Sequence, residues 1–308
     1  MLNHSKLARK PRQFQSITGI TPQQFDFLYD TIKKRYRTTE EKRLSSKTRK
    51  RSVGAGHPFS LALKDRILML LMYYRMYTSY GLLEVIFDLD KSNVCRDIRY
   101  MEPAVKSCIL VPAKKYASAK KVTTLEELER QFPEFQIIID ATEQPIPRPK
   151  DKKKRRKYYS GKKKRHTIKN QYTINMRGEI IHKPPHSTGR HHDYHIFKAK
   201  HPILPEGLQT FVDLGYMGMQ KDYPQYNAIL PHKKRKGEKL TVLQKQFNKV
   251  QSKTRIRIEH VISRVKKFRI CSDVFRNKLC RYDTISEIVC GLINFKIRWK
   301  EKFVVAIS

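Results

Sequence analysis

The sequence predicts a chain in two parts: an all-α block on a helix-turn-helix plan, then an α/β core with a mixed sheet. Three observations carry this. Between residues 58 and 112 apolar side chains recur at three- and four-residue spacing, the helical period. From residue 135 onward, apolar runs of strand length alternate with helical stretches, the pattern of a layered α/β core. The chain also carries 66 Lys+Arg against 28 Asp+Glu, a formal charge of +38.

In chain order, Thr21-Pro22 followed by Phe25, Leu28, Tyr29 and Ile32 predicts a capped helix with proline at its first position. Residues 37–57 are polar and basic and read as a loop or linker. Ser60 is placed to cap a helix through Ile67, Leu70, Leu71 and Tyr74; a second helix starts near Ser79, and Asp88-Leu89-Asp90 breaks it. A third, starting at Lys91-Ser92, runs through Val94, Ile98 and Met101. In a helix-turn-helix this last helix enters the major groove, so Ser92, Asn93, Arg96 and Arg99 are the candidate base readers. An ordinary three-helix unit with a solvated basic face is an equal reading of the segment by itself. Residues 113–134 read as a linker containing a short helix at Leu125–Leu128. Phe135 to Asp140 reads as a buried strand, and His166–Asn175 with Glu179–His182 as a hairpin turning at Arg177-Gly178. A short helix over Asp193–Ala199, strands at Thr210–Asp213 and Asn227–Leu230, and helices over about 240–268 and 284–299 complete the core. The expected domains are 1–57 (N-terminal helix and basic linker), 58–112 (helix-turn-helix), 113–134 (linker) and 135–308 (α/β core).

A charge of this size and a pI near 10.1 call for a polyanionic partner, most simply nucleic acid. No run is long and apolar enough to span a bilayer, which argues against a membrane protein. Met1–Lys10 lacks an apolar signal core, so secretion is not expected and a cytoplasmic location is. The five cysteines are widely spaced with no Cys-x-x-Cys pair, which fits reduced thiols better than zinc or disulfides.

Against this cationic background three carboxylates stand out. Asp140 ends the run Ile137-Ile138-Ile139, Asp213 ends Phe211-Val212, and Glu259 lies in a basic helical stretch. α/β sheets present functional groups where their strands end. Three carboxylates from three elements could hold two Mg²⁺ or Mn²⁺ ions, hard cations that prefer oxygen, and such a pair cleaves phosphodiesters. Arg255, Glu259, Ile262 and Lys266 share one helix face. Singly, Glu259 could be only an i,i+4 partner of Arg255, and Asp140 only a turn-initiating aspartate.

In these segments the chain resembles DDE transposases of bacterial insertion sequences, of the insertion-sequence family five type. The matching pieces are Ile139-Asp140-Ala141-Thr142-Glu143, Tyr159-Ser160-Gly161-Lys162 through Lys169, Val212-Asp213-Leu214-Gly215-Tyr216-Met217-Gly218, Leu230-Pro231-His232-Lys233-Lys234, and Arg255-x3-Glu259-x6-Lys266. The tyrosine often found three residues before that arginine is Ser252 here. The resemblance spans about residues 58–300. It implies an RNase H-like core behind a helix-turn-helix, with Asp140, Asp213 and Glu259 as the metal-binding triad. The implied activity is Mg²⁺-dependent cleavage of double-stranded DNA at an element's terminal inverted repeats, then strand transfer to target DNA by a dimer or larger assembly. A nuclease that never joins ends and a domesticated, non-catalytic regulator are the rival readings.

Lys162, Lys163, Lys164, Arg165, Lys233, Lys234, Arg255 and Lys266 are the candidate phosphate contacts of the core. Within the basic run 150–169, Tyr158 and Tyr159 add surfaces for base stacking. Glu143 reads as a supporting residue. Asp193 is the alternative second aspartate; in the His-rich cluster that His186 opens, His191, His192 and His195 fit a DNA-facing or capping segment better than a zinc site.

Overall fold

The structure is a computed structural model that describes residues 1–45, 58–119, 124–203, 205–234 and 237–305. Its contacts divide the chain into two units, one from Met1 to Leu110 with Lys267–Ile270 and the stretch from Arg298, the other Val111–Lys266 with Cys271–Ile297.

The first unit is helical: α1 (His4–Ala8), α2 (Pro11–Thr18), α3 (Pro22–Ser45), α4 (Leu63–Met76), α5 (Tyr80–Phe87) and α6 (Lys91–Cys108). Thr21 and Gln24 form a reciprocal capping box at the start of α3, each side chain accepting the other's backbone N–H at 3.2 and 3.0 Å. That helix runs on to Ser45, so residues 37–45 are helical and not the loop their polarity predicts. The remainder of the expected linker, 46–57, lies outside the described residues. Ser60 does not cap α4. The chain stays non-helical to bury Leu61, the N-cap is Ala62, and Asp65 supplies the acidic group of the first turn. Ser79 caps α5, and Asp90 caps α6 by accepting from the Ser92 and Asn93 N–H groups. Asp88, in the left-handed region, makes the turn between them.

Helix α4 is buried from Arg66 to Tyr74. Its charge is matched across the core: Arg66 Nε donates to Asp97 Oδ1 of α6 at 2.7 Å, Nη1 donates to the Tyr36 hydroxyl at 2.8 Å, and the guanidinium lies 3.6 Å from the Phe59 ring centre. Both side chains of the ion pair are less than a tenth exposed. A paired, stacked arginine thereby ties α6 to the core.

The second unit opens with α7 (Pro112–Ala119), a helix absent from the sequence expectation, and α8 (Leu125–Gln131). Among the described residues seven strands follow: β1 (Gln136–Pro145), β2 (Tyr159–Ser160), β3 (Arg165–Asn175), β4 (Ile180–His182), β5 (Ser187–Thr188), β6 (Gln209–Phe211) and β7 (Ala228–Ile229). Between and after them come α9 (Lys152–Tyr158), α10 (Asp193–Lys200), α11 (Met219–Asp222), α12 (Val242–Lys266) and α13 (Tyr282–Val305), the last belonging to this unit as far as Ile297. The sheet order is β2-β3-β1-β6-β7, with β4 and β5 also paired to β3. β1 is antiparallel to β3 and parallel to β6, and β6 is parallel to β7, so the sheet is mixed as expected. Helices and this sheet together are consistent with an RNase H-like core.

Strand β1 is longer than its apolar run. Asp140 therefore sits in mid-strand opposite Tyr172 of β3, not at a strand end. The polar half, Thr142-Glu143-Gln144, stays in the sheet because β3 and α13 answer it with polar groups. Thr167 Oγ1 donates to Glu143 at 2.7 Å, and the Tyr282 hydroxyl donates to Gln144 Oε1 at 2.8 Å. Among the described residues no helix is long and apolar enough to cross a membrane.

The Arg66–Asp97 pair yields the first prediction. Asp97→Ala leaves a buried, unpaired guanidinium and is expected to cost about 3–5 kcal/mol, read from the urea midpoint of the intact chain. A loss under about 1 kcal/mol, the range of an exposed pair, would mean that α6 is held by apolar packing alone.

Candidate active site

The register of a three-residue parallel ladder sets the site. β1 and β6 pair Gln136 with Gln209, Ile137 with Thr210 and Ile138 with Phe211. Carried two residues further, the same offset sets Asp140 level with Asp213. Side chains alternate across a sheet. Ile137, Ile139 and Val212 accordingly join the apolar cluster with Phe197, Tyr216 and Met219, while Ile138, Asp140, Phe211 and Asp213 belong to the opposite face. β6 ends at Phe211, so beyond it the flank of Asp140 is no longer covered by a strand. Asp213 itself lies just past the strand, where the chain turns into a short 3₁₀ segment.

Each carboxylate is oriented by a backbone amide close by in the chain. Asp140 Oδ1 accepts the Ala141 N–H at 2.8 Å, and Asp213 Oδ1 accepts the Gly215 N–H at 2.8 Å. Gly215 is required by this contact, because a Cβ there would stand 2.8 Å from that same Asp213 oxygen. Among the described residues neither aspartate forms an ion pair. Burial raises the Asp140 pKa to about 6; the Ala141 amide and Arg255 pull it down, while Asp213 and Asp193 push it further up.

Asp193 begins α10 and reaches the same neighbourhood, its Oδ2 3.5 Å from where a Gly215 Cβ would lie. Its charge is answered by Lys169 at 3.0 Å, and the same ammonium lies 3.7 Å from Glu143. The strand period that puts Thr167 and Lys169 on one face of β3 is the sequence signal for this arrangement; nothing local marks Asp193 as their partner. Gln171 donates to the buried Tyr216 hydroxyl at 2.9 Å, bracing the segment after Asp213.

Helix α12 packs against β1 and β6 and lines the site with cations. Arg255 is half-buried and close enough to lower the Asp140 pKa. At the C-terminal end of the helix, burial and the neighbouring Lys163 lower the Lys266 pKa, and Asp140 opposes them. Glu259 falls one turn after Arg255 on the shared face and is exposed. It forms no ion pair with Arg255 among the described residues, so the local-pair reading finds no contact. The structure brings Asp140, Asp213 and Asp193 together but does not bring Glu259 against them. Among the described residues no three His, Cys, Asp or Glu side chains form a ready metal-ligand group.

Ser92, Asn93, Arg96 and Arg99 are all exposed at the start of α6, and Arg96 donates to Asn93 Oδ1 at 2.6 Å. Lys162, Lys163, Lys164 and Arg165 form an exposed turn into β3. Lys233 and Lys234 are exposed after β7, while Arg235 and Lys236 lie outside the described residues. The histidines separate: His186 pairs with Asp283 at 2.9 Å, and His191 contacts His195 at a 4.6 Å ring spacing.

Residues 139–294 match the family model described as DDE superfamily endonuclease, and residues 59–109 the model for the helix-turn-helix of DDE superfamily endonuclease. The chain is 32% identical to the "Probable transposase for insertion sequence element IS702" of Microchaete diplosiphon, over 94% of this chain and 96% of that protein. It is 25% identical to the "Putative transposase for insertion sequence element IS112" of Streptomyces albus G, over 86% of this chain and 88% of that protein. No solved structure matches it significantly.

The raised Asp140 pKa has a consequence for stability. With chelator present, the folded protein holds this proton more tightly than the unfolded chain, whose carboxyl titrates near ~3.9. The stabilising contribution is full below about pH 4 and is lost as pH rises through about 6. Asp140→Asn should therefore melt above the wild type at alkaline pH, with the gap closing as pH falls through this window. Thermal melts at stepped pH check this; a gap independent of pH would show that the carboxylate carries no such penalty.

Proposed function

The chain belongs to the DDE superfamily endonucleases, and from that premise we propose that it is an insertion-sequence transposase that cuts its element's ends and joins them to target DNA. The observation that carries this reading is the level pair Asp140 and Asp213, two carboxylates without cationic contact partners among the described residues, in a chain of formal charge +38. Their donor set is hard oxygen, and their mutual repulsion is the kind a divalent cation relieves, so the residues fit Mg²⁺ or Mn²⁺. Asp140 and Asp213 would hold the metal, with Glu259 completing the set from α12 and two ions serving each site. Bound there, the metal would activate the attacking oxygen and stabilise the leaving one.

The chain's own groups do the rest. Arg255 and Lys266, set along α12, would hold phosphates on either side of the carboxylates, and Lys162–Arg165 and Lys233–Lys234 would extend that hold along the duplex. Asn93, Arg96 and Arg99 would read the terminal repeats from the major groove, with Ser92 beside them. Because an element has two ends, the working form would be a dimer or larger on DNA.

Purified protein, Mg²⁺ and labelled DNA carrying the element's ends supply the test. Cleavage followed by joining to a second duplex is expected, and Asp140→Ala, Asp213→Ala and Glu259→Ala should each abolish both. Cleavage that survives these changes would sink the site; ends cut but never joined would leave a nuclease; binding without cutting would leave a regulator.

Gly215→Ala separates orientation from presence. Its Cβ displaces a side-chain oxygen, not backbone, so the melting temperature should stay near wild type. Cleavage should fall about 10- to 100-fold, as when a ligand loses the group that orients it. Unchanged cleavage would mean that the Gly215 amide does not hold Asp213 in its working position.

A further inference from the structure

A second built feature lies in the same unit, away from the carboxylates. Arg148, Arg155, Arg156, Tyr159, His166 and Arg190 line an open cleft of about 670 Å³, within the roughly 300–1,000 Å³ of pockets that take small organic ligands. Among the described residues none of the four arginines pairs with a carboxylate. Arg155 donates Nη2 to the Lys150 carbonyl at 3.2 Å and keeps a buried Nε without a partner. Tyr159 is 43% exposed, and His166 braces it in a T-shaped contact with ring centres 5.7 Å apart.

Close packing brings the distant arginine in. The Gly189 N–H donates to the Thr167 carbonyl at 2.9 Å, and the Arg190 N–H to the Lys157 carbonyl at 3.3 Å. A Cβ on Gly189 would fall 2.1 Å from Thr167 Oγ1 and 2.9 Å from the Tyr158 carbonyl, so only glycine lets this loop lie against β3 and the end of α9. On the other side Asp151 caps α9, accepting the Lys154 N–H at 2.8 Å, which orders the helix that carries Arg155 and Arg156.

Guanidinium forks match phosphate oxygens, and four without carboxylate partners call for an anion. The aromatic ring adds a requirement that phosphate contacts alone do not meet. In an intact duplex the base faces are stacked on one another; a ring beside the phosphate-holding groups is satisfied by a base that has left the stack. The geometry points to a subsite for one unpaired DNA nucleotide, its base against Tyr159 and its flanking phosphates on the arginines. His166 and Tyr172 are six residues apart on β3, about 20 Å at the strand rise. The occupant is thus several nucleotides away from the phosphodiester at Asp140. This inference rests on the DNA-binding reading above and specifies the form of DNA that the core prefers.

The full chain is titrated in EDTA, so that no cutting occurs, with a blunt duplex and with the same duplex bearing a short single-stranded overhang that contains 2-aminopurine. The overhang duplex should bind about 10-fold more tightly, within the range that stacking on one aromatic ring supplies, and its 2-aminopurine fluorescence should be quenched. Tyr159→Phe should retain the preference and the quenching. Tyr159→Ala should lose both, its binding of the overhang duplex falling to that of the blunt one, with an unchanged melting temperature showing that it folds. Equal binding of the two duplexes by wild type, or a preference that survives Tyr159→Ala, overturns the subsite and leaves duplex binding intact. Failure to bind either duplex overturns this inference together with the DNA-binding reading.

Discussion

The three-residue pairing of β1 with β6 is the constraint on which the carboxylate site depends. A slip of one residue would reverse the face of every side chain on one strand and send Asp213 or Asp140 into the apolar cluster. Such a slip is prevented from both sides of β1. Its antiparallel pairing with β3 runs from Ile137 opposite Asn175 to Pro145 opposite Thr167, which fixes the strand along its full length. At its start, Gln136 Nε2 donates to Gln209 Oε1 at 3.2 Å, a side-chain bond between register partners. Ile137 and Ile139 cannot exchange places with Ile138 and Asp140 without carrying a carboxylate into the Phe197–Tyr216 cluster.

Much of this arrangement is legible in the sequence because it is carried by local chemistry. The start near Ser79 and the break at Asp88-Leu89-Asp90 delimit the second and third helices of the helix-turn-helix, and the structure adds that Ser79 and Asp90 are their caps. The runs Ile137–Ile139 and Phe211–Val212 identify the two strands, and the Arg177-Gly178 turn identifies the hairpin, with Gly178 at φ 83. What escapes is carried by partners far apart in the chain. Thr142-Glu143-Gln144 does not look like strand, because the partners that keep it in the sheet lie on β3 and α13. Residues 37–45 do not look like the end of a long helix by polarity, and Asp193 bears no local sign that it meets Lys169. Glu259 marks a limit of another kind: spacing puts it on the same face as Arg255 and Lys266, but a shared helix face does not by itself bring its carboxylate to the other two.

The distribution of ion pairs separates structural acids from the site. Asp97 is matched by Arg66, Glu179 by Lys115 at 2.7 Å, Asp283 by Lys183 and His186, and Asp193 and Glu143 by Lys169. Those contacts offset the desolvation of each carboxylate as it enters the fold. The Asp283 carboxyl shows the effect: burial opposes its ionisation, yet His186 and Lys183 hold it well below the usual carboxylate range. Asp140 shows the reverse, with a pKa raised to about 6 although Arg255 acts on it. A chain with 66 Lys+Arg has no shortage of cations, so a partly buried carboxylate with none in contact among the described residues, as at Asp140, marks where the fold keeps negative charge available.

The cations near that charge are arranged to remain useful. At an effective dielectric of about 20, a unit pair at 4 Å interacts by about 4 kcal/mol, and the interaction weakens in proportion as the distance grows. An arginine in contact with Asp140 would neutralise the carboxylate and occupy the oxygens a metal needs. Arg255 and Lys266 instead lie along α12, near enough to influence Asp140 or be influenced by it, but outside ion-pair distance of it. A phosphate drawn to these two residues would be brought beside the carboxylates without losing its own cationic partners to them. On the proposed reading, the spacing of Arg255 and Lys266, eleven residues and three helical turns, would matter to the site as much as the level pairing of Asp140 with Asp213: it would leave the anionic pair free and bring the anionic substrate to it.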